Sequence, residues 1–70
     1  MTYLVLVHFN NVRVPNVAGI ADSEEEAIEM VKTLEGDYPH HAWHDYVKAP
    51  EGRKFVVGIQ FDPQEKGTKP

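Results

Sequence analysis

The chain has 70 residues, a formal net charge of −4 and no cysteine. This describes one domain without disulfides, thiolate metal sites or a cysteine nucleophile. Its acidic balance speaks against direct binding to nucleic-acid phosphates. No apolar run approaches the roughly 18 residues of a membrane span, and small secreted domains ordinarily carry disulfides. A cytoplasmic protein with a compact core is therefore expected.

Residues 2 to 9 alternate Tyr3, Val5, Val7 and Phe9 with Leu4, Leu6 and His8. Both faces are apolar, as in a central strand. The stretch lacks the basic start and the small-residue cleavage site of a signal peptide, and reads as a mature strand. Asn10-Asn11 is a turn, because Asn tolerates left-handed backbone. Val12 to Ile20 is expected as a second, antiparallel strand. Pro15 cannot donate to a ladder, so this strand belongs at an edge or is bulged, and Gly19 weakens it further.

Asp22 to Gly36 carries the helix. Ser23 and Glu26 form a capping box, in which the Ser23 hydroxyl accepts from the Glu26 N–H and the Glu26 carboxylate accepts from the Ser23 N–H. Asp22 with Glu25 offers the same chemistry one residue earlier. Glu24, Glu25 and Glu26 lie in the first turn, where the positive end of the helix dipole favours anions. Ala27, Ile28, Val31 and Leu34 form an apolar stripe flanked by Met30. Glu25, Glu29, Lys32 and Thr33 are left for solvent. Gly36 is expected just past the helix end, and Pro39 bars its resumption.

Residues 42 to 48 are expected as a third strand. Ala49-Pro50-Glu51-Gly52 is a turn with Pro and Gly at their favoured positions. Arg53 to Phe61 is expected as a fourth strand, with Phe55, Val57, Ile59 and Phe61 on one face and Lys54, Val56, Gly58 and Gln60 on the other. Residues 1–62 thus form a single domain, and residues 63–70 a disordered tail without apolar side chains to bury. The order is ββαββ. The expected fold is an α+β two-layer sandwich, a four-stranded, mostly antiparallel sheet with one helix packed on one face. The helix covers only one side. The other must be shielded by neighbouring side chains, a long loop or another subunit.

The sharpest chemical constellation is His40-His41-Ala42-Trp43-His44-Asp45. Histidine is the commonest metal ligand and also titrates near physiological pH. His40 and His44 have a helical ligand spacing. On a strand, His40, Ala42 and His44 share one face, and His41, Trp43 and Asp45 the other. His8 joins them if the first strand is a neighbour. A metal site at His40, His41 and His44 stands against the plainer reading, a polar strand entrance. Paired carboxylates at a defensible spacing, a nucleophile–base arrangement and a Gly-rich phosphate loop are all missing. Neither an enzyme nor a cofactor is expected. Glu25 and Glu29 could imitate phosphates in a basic groove, or simply form a solvated helix face. Trp43 and Tyr46 are candidate interface anchors, or core.

The layout Tyr3-Leu4-Val5-Leu6-Val7, a hairpin, Ala21-Asp22-Ser23-Glu24-Glu25-Glu26-Ala27-Ile28 and a second hairpin resembles small phage and mobile-element proteins. Anti-CRISPR proteins are among them. The resemblance is one of size and element order, over about residues 2 to 61. It carries over no functional residue. It implies a compact, cofactor-free protein that binds a host or phage protein and blocks or modifies its action. The expected function is a non-catalytic protein-binding module. In this reading it inhibits a host nucleic-acid-handling (CRISPR-type) complex by protein–protein contact through Glu25, Glu29, Trp43 and Tyr46. A His-based metal or small-ligand domain and a structural homodimer are the alternatives.

Overall fold

A strand that is apolar on both faces needs a cover on each, and the chain supplies two different ones. The computed structural model describes residues 1–37 and 42–63. The expected histidines at 40 and 41 and the tail from residue 64 onward lie outside the described residues. The elements run β1 (Tyr3–Phe9), β2 (Asn16–Ala21), α1 (Glu24–Asp37) and β3 (Ala42–Lys48). They form an α+β fold of order ββαβ. The sheet has three strands in the order β2-β1-β3, all antiparallel. β1 is central, as its two apolar faces require, and Leu4, Val5 and Leu6 are fully buried in it.

β2 begins at Asn16 rather than Val12. The Val12 N–H closes a turn on the Phe9 carbonyl at 3.0 Å, and Pro15 has no N–H to place in a ladder. The pairing of β1 with β2 shifts register between Val5, opposite Gly19, and Leu6, opposite Val17. Ala18 is the extra residue of this bulge. Without it, Val17 would fall on the helix side. With it, Val17 packs beside Leu4 and Leu6 on the other face.

The capping box forms with one difference from expectation. The Glu26 N–H donates to Ser23 Oγ at 3.1 Å, but Glu26 Oε1 accepts from the Asp22 N–H at 2.9 Å, one residue before Ser23. The stripe on the sheet is Ala27, Met30, Val31 and Leu34 around Val5 and Ala21. Met30 therefore takes the place expected for Ile28, since positions three and four apart stack on one helix face. Gly19 permits this. A Cβ there would collide with Cε of Met30. The helix runs through Gly36 to Asp37, so Gly36 is in its last turn rather than beyond it.

The second face is covered by the C-terminal segment, which is not a fourth strand. Gly58 N–H donates to the Val17 carbonyl, Val17 N–H to the Ile59 carbonyl, and Phe61 N–H to the Pro15 carbonyl, at 2.8, 2.8 and 2.9 Å. Among the described residues one isolated bridge, Asn16 to Gln60, is the ladder element that results. The reason lies in Phe55 and Phe61. Six residues of strand would separate them by about 20 Å, but their rings meet edge to face at 5.4 Å. A turn at Val57-Gly58 brings them together, with Gly58 at φ +105°, a conformation that costs glycine little. Both rings then pack on the Leu4, Leu6 and Val17 cluster. Val56 and Val57, which a strand would have placed in the ladder, are 60% and 62% exposed. A loop of the chain itself thus covers the Leu4 and Leu6 part of this face.

Candidate functional site

Charge and polarity are sorted by the β1–β3 register. His8 stands opposite Trp43, and Val7 opposite His44. Neighbouring residues of a strand face opposite sides, so His8 and His44 lie on opposite faces of the sheet. Each finds a carboxylate there. His8 Nε2 is 2.9 Å from Asp45 Oδ1, on the face away from α1. His44 Nδ1 is 2.8 Å from Glu35 Oε2, which α1 brings down onto the other face.

The His8 side is the more open. The C-terminal segment covers Leu4, Leu6 and Val47, and the sheet face beyond them presents His8, Trp43 and Asp45. The imidazole and indole lie parallel, 3.8 Å apart with a 5° tilt. Trp43 remains 51% exposed. Asp45 fixes the imidazole, the imidazole fixes the indole, and a large flat apolar surface is held toward water. The His8–Asp45 pair has the form of a general base and its orienting acid. No nucleophile accompanies it among the described residues. Ser23 caps α1 and Thr33 lies on it, across the sheet, and Thr2 precedes the far end of β1, roughly 20 Å away at strand spacing.

The His44 side is closed. His44 is buried beneath the end of α1, beside Val7, Phe9, Ala18 and Leu34. Tyr46, next along the same face of β3, packs edge to face on Tyr3 at 6.2 Å. Its hydroxyl donates to Glu24 Oε2 at 2.8 Å. That hydrogen bond, with burial and the Glu24 charge behind it, raises the Tyr46 pKa above its ordinary 10.0.

The four expected partner-binding residues therefore do not make one surface. Glu25 and Glu29 are exposed on the outer side of α1. Tyr46 packs with the helix-side core and ties β3 to Glu24. Trp43 is on the opposite face of the sheet. Of the expected metal ligands, His40 and His41 lie outside the described residues, and His44 engages Glu35. His8 does neighbour this strand, but from the wrong face to share an ion with His44. Among the described residues no three His, Asp or Glu side chains come together to hold a metal. The two His–carboxylate pairs join residues distant in sequence. The signal for one was a histidine in an otherwise apolar strand, and for the other a glutamate near the end of the helix. Both needed the register to become pairs.

Comparison with known proteins finds no matching family model, no matching curated protein and no matching solved structure.

Proposed function

We propose that the protein is a non-catalytic protein-binding module anchored by Trp43. The supporting observation is the stack itself: a half-exposed indole locked on His8, which is locked by Asp45. Tryptophan is enriched at binding hot spots. A side chain already held in place loses less freedom on docking, so more of its burial appears as affinity. Trp43 is the only tryptophan of the chain, so its emission reads its own burial.

The test is capture of partners from native lysate, followed by titration of the captured protein against the chain. Trp43 emission should shift to the blue, and Trp43→Ala should weaken binding by at least about tenfold. Unchanged affinity in that variant would sink the reading. The narrower form of the proposal is an inhibitor that occupies a basic, nucleic-acid-handling surface of a host complex. Glu25 and Glu29 support it, because their carboxylates accept no hydrogen bond among the described residues. Glu25→Gln with Glu29→Lys should then weaken inhibition while the chain stays folded, since both side chains are exposed.

A further inference from the structure

Three basic side chains gather at one end of the sheet. The ion pairs of His8 with Asp45 and of His44 with Glu35 involve neither lysine nor arginine. Of the 7 Lys and Arg residues in this net-acidic chain, Lys48, Arg53 and Lys54 line one cleft of about 510 Å³. Glu51 is the one carboxylate on its rim. The cleft lies where β3 ends, between Ile20 of β2 and the segment that follows the Pro50 turn. Its apolar wall is unusually open, with Ile20, Val56 and Met1 at 37%, 60% and 75% exposure. The volume falls within the range of ligand sites.

Two further features narrow what it would take. The Arg53 guanidinium lies over the Phe55 ring, 4.9 Å from its centroid. A cation stacked on a ring keeps its in-plane N–H donors for other partners. The backbone of Arg53–Val56 is also unpaired: it makes no backbone hydrogen bond among the described residues. This stretch opens the segment Arg53 to Phe61, whose alternation reads as a strand.

The geometry points to a docking cleft for an acidic, extended peptide segment of a partner protein. Carboxylates of the segment meet Lys48, Arg53 and Lys54. Its apolar side chains meet Ile20, Val56 and Met1. Its main chain lies along Arg53–Val56 as an added strand. The cleft is at the opposite end of the sheet from Trp43, because Lys48 pairs with Tyr3 while Trp43 pairs with His8. The inference therefore stands apart from the Trp43 anchor, and either can fail alone.

The experiment titrates the isotopically labelled full chain with a peptide of about eight residues alternating glutamate and valine, long enough to span the unpaired stretch. Peptides alternating lysine with valine and glutamate with serine, and vesicles of anionic lipid, are the comparisons. Amide shifts should concentrate at Ile20, Lys48 and residues 53–57. Binding should weaken by at least about tenfold in Lys48→Glu with Lys54→Glu. It should fade as salt rises from about 0.1 M to about 1 M, which shortens the Debye length from about 10 to about 3 Å. Lys48 and Lys54 are exposed and belong to neither core cluster, so the melting temperature should hold. If it does not, Lys48→Gln with Lys54→Gln carries the same test. No shifts with the glutamate–valine peptide, shifts confined to the Trp43 end, or equal binding of the glutamate–serine peptide would overturn the proposal. So would tighter association with the vesicles, which would assign the cleft to a membrane surface.

Discussion

His8 and Trp43 face each other across the β1–β3 ladder with their rings parallel and 3.8 Å apart. Directly opposed residues of antiparallel strands hold their Cβ atoms about 5 Å apart, close enough for two flat rings to lie one on the other. Asp45 is on the same face two residues on from Trp43, diagonal to His8, and reaches its Nε2 at 2.9 Å.

That chain of contacts should be visible in the fluorescence of Trp43. His8→Ala removes the ring beneath the indole. It should raise acrylamide quenching and lower emission anisotropy, and cost about 0.5–1.5 kcal/mol of stability. Asp45→Ala should do less, since Asp45 is 45% exposed and solvent screens its pairing. Quenching that is unchanged in His8→Ala would show that something else holds the indole.

On the other face, His44 is buried while its partner Glu35 is 41% exposed. Glu35→Ala should therefore cost only about 1 kcal/mol. His44→Ala removes a buried ring and leaves space beside Val7 and Leu34, and should cost about 2–3 kcal/mol. Urea denaturation measures both. Equal losses would mean that the pair, not the packing of the ring, is what matters at His44.

Tyr46 predicts an alkaline limit. Folding raises its pKa, chiefly through the hydrogen bond to Glu24. The folded state thus holds the phenolic proton more tightly than the unfolded chain. Its contribution is fully present below the ordinary value of 10.0 and is lost as pH rises through the raised folded value. Tyr46→Phe should flatten the fall in stability between about pH 10 and the end of the titration. A fall of equal steepness in both proteins would exclude Tyr46 as its source.

The C-terminal segment gives a sharp contrast. In an extended strand Val57 and Phe61 would share a face and be comparably buried. In the structure Phe61 is 8% exposed and Val57 62%. Phe61→Ala should cost about 3–5 kcal/mol, a large part of the stability of a domain this small. Val57→Ser should stay within about 0.5 kcal/mol. Comparable losses at the two positions would favour a fourth strand after all.

The elements whose physics is local were legible. β1 declares itself by apolar residues on both faces, α1 by Ser23, Glu26 and a helical stripe, and β3 by its alternation. The limits of local reading are equally specific. Ile28 and Met30 are both plausible stripe members, and only the bare surface of Gly19 selects Met30. Pro15 marks an edge or a bulge, and only the pairing of Val17 with Leu6 places the bulge at Ala18.

The largest difference is Arg53 to Phe61. Its alternation fits a strand as well as any stretch of the chain. What it cannot express is the competing demand of Leu4 and Leu6, far away in sequence, for an apolar cover. Bending at Gly58 lets Phe55 and Phe61 meet that demand together, and burial of two aromatic rings outweighs the hydrogen bonds of a short ladder. The same is true of the site. The sequence by itself determined a small acidic α+β domain with one capped helix and a central apolar strand. Only the tertiary structure decided that His8 and His44 part to opposite faces, that Trp43 is stacked yet exposed, and that Lys48, Arg53 and Lys54 share one cleft. Register and long-range burial set those relations, and neither is written in any local stretch of residues.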